Sequence, residues 1–597
     1  MKKYNLNIKI AFAISAISFL LGSCSLDETL YGVATTEGFV KTEADATFVV
    51  NGVYGTLQEF NCFKSATAGL ILFSGDDFAS SAVTSNGAGV WINRSFTSSD
   101  PYVRNTWNSF YQCINRANAA IETIDPIETI KPEVRAKLNG EMTFLRGVTY
   151  FNLVRLYGGV PISTESSKPS VSFYKQRQPV DSVYKQIFSD LKNANQKCLP
   201  YSKQNSAEFG RATKGAAQGM LALAYLTYAN YCDLHDKATE AQVNYEFAKQ
   251  WADSVILSNE YALTPNYADL YDVTKEKAAY KEVIYGIQFT RDALTAAAGS
   301  KGSEWAFNLQ PIERWNISGN LSTRTYTSGG VSQIFVPHNG SGQIFFQPWF
   351  VEQYFTGDYV GDYRSEVSFL TSWDGYTTTA PRTAKTYLTF PRIPATPAPA
   401  NLVQPTFTYL DKYKDPNGLD SRNHENDLFV LRLAEVYLIK AEALNEMGKT
   451  DEAYIHFNEL RKRARLANGT ARLTPADLTP GLDKDNFRMA VFNERGLELV
   501  GEGQRFFDLV RMRYMGTNTT MFQWRLQTFY PSMASSMKVM PTWDSATKTW
   551  KGGRVYPSNV KDWNERYLLY PIPSSETDAN PNFANTEAGL QQNNPGW

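Results

Sequence analysis

Leu431-Arg432-Leu433-Ala434-Glu435-Val436-Tyr437-Leu438-Ile439-Lys440-Ala441-Glu442-Ala443-Leu444 is the stretch that decides the fold class. Leu433, Val436, Tyr437, Ala441 and Leu444 recur at three- and four-residue spacing while Arg432, Glu435 and Lys440 occupy other faces, which is the period of an amphipathic helix. Gly448 ends it, because glycine enters the left-handed conformation without a steric penalty. Thr450-Asp451-Glu452 opens a second helix whose apolar stripe is Ala453, Phe457 and Leu460. Small Ala441 and Ala453 let the two helices approach closely.

The pair resembles one tetratricopeptide repeat, and a single hairpin cannot bury its own stripe. Helical spacing recurs over 107–123, 141–157, 181–196, 214–231 and 245–257, so about four hairpins are expected, over roughly 102–257 and 430–515. The chain reads as mainly α.

Five stretches carry a common wording. Phe144-Leu145-Arg146-Gly147 leads into Tyr150-Phe151-Asn152-Leu153-Val154-Arg155-Leu156-Tyr157-Gly158-Gly159-Val160-Pro161, and Gly210-Arg211-Ala212-Thr213-Lys214-Gly215-Ala216-Ala217 follows. Arg432 to Leu438 is the third. Glu494-Arg495, Glu498-Leu499 and Glu502-Gly503-Gln504-Arg505-Phe506-Phe507-Asp508-Leu509 form the fourth, and Tyr570-Pro571-Ile572-Pro573 the fifth. Asn593-Asn594-Pro595-Gly596-Trp597 closes the chain. In this order the motifs resemble the SusD/RagB outer-membrane nutrient-binding lipoproteins. The resemblance implies a SusD-like fold, in which tetratricopeptide-like hairpins support a loop-rich ligand-binding face. It also implies capture of a nutrient, usually a glycan, without catalysis, and a SusC-like TonB-dependent transporter as partner.

Most of these motifs have structural readings of their own. Glu494, Glu498 and Glu502 stand one turn apart on a helix expected over 494–513, with Arg505, Asp508 and Arg511 as neighbours. They are expected to form an ion-pair lattice rather than an acid-base pair. The glycines and lysine of the 210–215 stretch are in the wrong order for a phosphate loop, and Thr213 reads as a helix N-cap. Tyr570 to Pro573 reads as an extended segment packed on the core.

Helical rhythm disappears over 284–429, where Gly, Ser, Thr and Pro alternate with exposed-looking aromatics. Long irregular insertions are often functional. Trp305, Trp315, Tyr326, Phe345, Phe346, Trp349 and Phe350 lie in it, with Asn308, Asn316, Arg324, Gln343 and Gln347. A second such stretch, 75–99, holds Asp76, Asp77, Asn86, Trp91, Asn93 and Arg94. A pyranose has an apolar C–H face that stacks on an aromatic ring and a hydroxyl rim that needs amide, carboxylate or guanidinium partners. The resembling family places ligand contacts in loops at these two positions. Trp91 with Asn93, Arg94 and Asp77 is therefore the first choice of ligand-binding residues, and Trp305, Trp315 and Tyr326 the second.

The amino terminus gives the address. Lys2, Lys3 and Lys9 precede an apolar run from Ile10 to Leu21 that is too short to span a bilayer, so 1–23 reads as a signal peptide. Leu21-Gly22-Ser23-Cys24 resembles a bacterial lipobox, which makes Cys24 the lipid anchor and the mature N-terminus. Several acyl chains there make anchoring effectively permanent. Asp27 and Glu28 resemble the export tag of surface lipoproteins, and 24–40 reads as a tether to a single globular unit over 41–597, with 516–597 as its C-terminal segment. The expected location is the outer membrane, lipid-anchored and surface-exposed.

Composition limits the alternatives. With 597 residues, 43% hydrophobic content and a net charge of -1, the chain has ample core and no basic excess for nucleic acid. Cys62, Cys113, Cys198 and Cys232 lack C-x-x-C spacing and read as buried apolar residues. Asp415, Asn417 and Asp420 gather oxygen ligands beside Gly418, but their spacing is not that of an EF-hand, and neither metal nor cofactor is assigned. The four histidines, His235, His338, His424 and His456, have no partner at catalytic spacing. Alternatives to glycan capture are a peptide-binding uptake lipoprotein of the RagB type, a surface glycosidase using a carboxylate pair, and a pure interaction scaffold.

Overall fold

Asp100 starts the helical stack by accepting hydrogen bonds from the backbone N–H of Tyr102 (2.8 Å) and Val103 (3.4 Å), with Pro101 in the first turn, where no donor is needed. The computed structural model describes residues 40–80, 90, 92, 94–168, 172, 174–290, 302–311, 319–320, 325–328, 331–334, 342–376, 384–393, 396, 400, 402–403, 407–415, 424–533, 539–555 and 563–597. The signal peptide, Cys24 and almost all of the tether lie outside the described residues.

The main helices are α1 (Glu43–Leu57), α2 (Ala66–Phe73), α3 (Pro101–Ile124), α4 (Pro132–Tyr157), α5 (Val180–Lys197), α6 (Lys214–Leu234), α7 (Ala238–Ile256), α8 (Leu433–Glu446), α9 (Thr450–Ala464), α10 (Lys484–Glu498) and α11 (Arg505–Arg511). Each of α3 to α9 packs on the next in chain order, and α8 also takes α10. α3 and α4 begin six and nine residues ahead of the apolar periodicity, because Asp100-Pro101 and Pro132 are start signals that hydrophobic spacing does not register. α4 is buried on all sides from Leu138 to Leu153, which makes it the central helix of the stack. Within its motif, Arg146 forks onto Asp190 of α5 through Nε (2.9 Å) and Nη2 (2.5 Å), while a β-carbon on Gly147 would lie 3.1 Å from Asp190. The motif thus fixes how closely α5 approaches.

The stack is broken in sequence between α7 and α8 but continuous in space. β2 (Val283–Ile287) and β5 (Leu428–Arg432) pair antiparallel, with Phe429 opposite Gly286 and Arg432 opposite Val283, and so zip together the two ends of the 284–429 insertion. As expected, Gly448 takes a positive φ of 76° after α8, and Thr213 caps α6 by accepting from the Ala216 N–H at 2.9 Å.

The helix expected over 494–513 is instead two. Gly501 and Gly503, both at positive φ, break it after Glu498. The ion-pair lattice is present with different partners. Glu498 meets Arg364 (2.8 Å), Arg432 (2.5 Å) and Arg463, Glu282 bridges Arg432 (2.9 Å) and Arg463 (3.0 Å), and Glu502 meets Arg432 and Lys412. Burial alone would raise the Glu498 carboxyl, but the Arg463, Arg432 and Arg364 guanidinium groups overcome it and hold it well below the usual range. Arg511 pairs with Glu442 and Asp508, and Arg495 joins Asp508 to Glu435.

The C-terminal motifs form a clasp. Tyr570 donates its backbone N–H to the Leu156 carbonyl (2.8 Å), and Asn594 donates to the carbonyls of Tyr157 (3.0 Å) and Tyr570 (2.7 Å) while accepting from Arg177 (2.6 Å). Cys62, Cys113, Cys198 and Cys232 are buried and form no disulfide, and burial pushes the Cys113 thiol up to about 11. No helix among the described residues is long and apolar enough to cross a membrane.

Candidate functional site

The two stretches rich in ligand-type residues are joined by a short antiparallel pairing of β1 (Phe78–Ser80) with β4 (Ile344–Phe346), in which Phe78 faces Phe346, Ala79 faces Phe345 and Ser80 faces Ile344. Gln347 extends the seam by donating its backbone N–H to the Asp77 carbonyl at 2.8 Å. One edge of this two-stranded seam runs into the segment that carries Trp91 and Asn93, and the other follows the segment that carries Trp315 and Tyr326. The rings of Phe78 and Phe346 stack beneath it, Phe345 stacks on Phe407 with centroids 4.0 Å apart, and Trp373 stacks on Tyr387.

Asp76 anchors the approach to β1. Its carboxylate takes Arg505 on both oxygens, through Nε (2.6 Å) and Nη2 (3.1 Å), and pairs with Arg525 through Oδ2 (3.1 Å), and although burial raises the carboxyl, the Arg505 and Arg525 charges hold it below its ordinary value. Asp77 differs in kind. It is 1% exposed, its Oδ1 has no hydrogen-bond partner, and burial together with neighbouring Asp76 pushes its carboxyl up to about 7. Adjacent carboxyl groups are thus driven in opposite directions.

Of the seven expected ligand-binding residues, three are described with their side chains, and all three are interior. Asp77 forms part of the seam's base. Arg94, at φ 52°, donates Nη2 to the Ser74 carbonyl (2.6 Å) and lies over the Phe522 ring at 4.0 Å; burial lowers its guanidinium to about 10. Trp305 is 1% exposed and meets the Tyr413 ring edge-on at 4.0 Å. Tyr326 lies on β3 (Thr325–Ser328), its backbone opposite Gln333. Trp91, Asn93 and Trp315 lie outside the described residues.

The exposed-looking aromatics of the insertion whose side chains are described prove to be core. Phe345 and Phe350 are 0% exposed, Phe346 1% and Trp349 3%, because β4 and the Pro348–Gln353 helix are covered on both sides. Such coverage leaves no alternation for sequence reading to detect. Sequence reading also misses the seam itself, since three-residue strands carry no period, although Arg505 stood within a recognised motif. Among the described residues no group of three or more His, Cys, Asp or Glu could hold a metal ion. What the described part of the site offers is a short strand pairing lined by stacked rings, which joins the two stretches.

Comparison with known proteins agrees with this architecture. Residues 46–226 match the family model described as starch-binding associating with outer membrane, and residues 313–597 match that of the SusD family. SusD-like protein P2 of Formosa agariphila is 27% identical over the full length of both chains. The crystal structure of a SusD homolog from Bacteroides thetaiotaomicron superposes with a TM-score of 0.73 at 22% identity, covering 94% of this chain and 98% of that one. A laminarin-binding SusD-like protein superposes at 0.62 with 20% identity, covering 94% of this chain and all of the other. With both halves of the chain matched and the motifs in order, the chain belongs to the SusD-like family of outer-membrane-associated proteins.

Proposed function

We propose that this protein is a non-catalytic glycan-capture lipoprotein, anchored in the outer membrane through Cys24, exposed at the cell surface, and passing its ligand to a SusC-like TonB-dependent transporter. The β1–β4 seam carries the reading, because it pairs Phe78–Ser80 of the 75–99 stretch with Ile344–Phe346 of the 284–429 stretch. Trp91, Asn93, Trp315 and Tyr326 are the proposed ligand contacts. Asp77, Arg94 and Trp305 are buried and act as structural supports rather than as ligand contacts. The starch-binding description of one matched family and the laminarin-binding neighbour support a glucan as the first ligand to test.

A lipid-tethered receptor beside its transporter raises the local ligand concentration by confinement, so moderate affinity suffices for transfer. Calorimetric titration of the purified protein with maltooligosaccharides and laminarin oligosaccharides tests the reading. Trp91→Ala should weaken binding at least tenfold with an unchanged melting temperature. Absence of binding across a broad glycan panel, with no barrel protein co-purifying from native membranes, would sink it.

A further inference from the structure

Gly210 and Arg211, from the second sequence motif, line a cleft of about 470 Å³ whose lining includes none of the proposed ligand contacts. One wall is α1, through Asn51, Tyr54, Gly55 and Gln58; the others are the 205–211 turn and the end of β2 with Gln288. The volume falls within the range of sites that enclose small ligands. Its side walls present two half-buried rings, Tyr54 and Phe209. The Tyr54 ring is fixed, since its hydroxyl donates to Glu141 (3.0 Å) and accepts from the Ala212 N–H (3.0 Å).

The polar groups here have their charge answered and hydrogen-bonding capacity left over. Arg211 gives Nη1 to Glu141 at 2.7 Å and Nη2 to the Asn51 side-chain oxygen, so its charge is met inside the protein. Asn51 thereby keeps its amide N–H₂ free to donate. Gln58 donates Nε2 to the Gln288 carbonyl at 2.6 Å and keeps its side-chain oxygen free to accept. Glu208 is spent on Lys137. A neutral donor and a neutral acceptor beside aromatic faces suit a hydroxylated ring and give no net charge to attract an anion.

We propose that this cleft is a second binding site, for one or two neutral pyranose units, lined by none of the proposed loop-face contacts. It rests on the preceding reading only in taking saccharide as the ligand class. A chain that reaches both sites would be retained longer than by either alone.

Gly55 supplies the test. A β-carbon built on it meets nothing within 4 Å, so Gly55→Trp puts an indole into the cleft from a half-buried helix position without a backbone clash. Hydrogen exchange of the full-length protein is followed with saturating maltotriose and, separately, laminaritriose. The expected result is at least threefold slower exchange over 51–58 and 205–211 with one of the sugars, lost in Gly55→Trp and in the milder Gln58→Ala. Slowing confined to 75–99 and 342–350, or cleft slowing that persists in both variants, overturns the second site. Slowing confined to the cleft supports it and overturns the loop-face reading, whereas no slowing anywhere overturns both.

Discussion

Phe78 and Phe346 are Cα partners across the β1–β4 seam, and their rings stack with centroids 4.7 Å apart and planes within 19°. This contact joins the two candidate ligand stretches directly. Phe346→Ala should therefore do two things. Deleting a fully buried ring costs about 3–5 kcal/mol of stability, and loosening the seam should weaken glycan binding. Phe487→Ala, which removes a ring equally buried between α9 and α10, controls for stability alone. Calorimetric affinities should fall for the first variant and hold for the second at a temperature where both are folded.

Asp77 gives a pH dependence with a definite sign. Its folded carboxyl is pushed up to about 7 by burial and by Asp76, against about 3.9 in an unfolded chain. Between those values the folded protein holds a proton that the unfolded chain has released, so this residue's contribution to stability falls as pH rises from about 4 to about 7. Asp77→Asn keeps the shape and never ionises. Its stability advantage over wild type should grow from near zero at pH 4 to on the order of 4 kcal/mol at pH 8, read by denaturant unfolding across that range. A gap that does not change with pH would refute the assignment.

Legibility from sequence follows the length over which a pattern repeats. Leu433 to Leu444 spans three turns, so its stripe is visible without coordinates, and the same holds for α3 to α7. β1 and β4 have three residues each and are buried on both faces, so nothing periodic marks them. The partners of Glu498 are hidden for another reason: Arg364 and Arg432 come from segments distant in sequence, which only the folded chain brings near. Trp305 and Phe345 show the limit of composition. Glycine-rich surroundings make an aromatic look exposed, and the chain can still fold it inward.

Glu498 tests the lattice itself. Three guanidinium groups converge on one buried carboxylate, and desolvating such charges is repaid only while each keeps its partner. Glu498→Gln leaves the cations buried with too little negative charge and should cost about 3–5 kcal/mol. Glu498→Asp retains the charge and should recover part of that loss. Equal destabilisation by both variants would mean that geometry, rather than charge, dominates here.

Asn594 lies three residues from the end of the chain yet holds its interior. Its amide group donates to the Tyr157 and Tyr570 carbonyls and its oxygen accepts from the buried Arg177 guanidinium, whose Nε bonds the Gly159 carbonyl at 2.8 Å. Asn594→Ala removes all three bonds at once and strands buried groups on both sides, at about 1–3 kcal/mol for each group left unsatisfied. Asn594→Asp keeps the acceptor and adds charge opposite Arg177, but it cannot donate to either carbonyl. If the clasp works chiefly through the Tyr157 and Tyr570 carbonyls, the aspartate variant should melt as low as the alanine variant. If it works chiefly through Arg177, aspartate should restore most of the wild-type melting temperature. The Arg177 guanidinium keeps its bonds to the Gly159, Gln591 and Tyr157 carbonyls when Asn594 is replaced, whereas the Tyr570 carbonyl loses its donor, so the first outcome is expected.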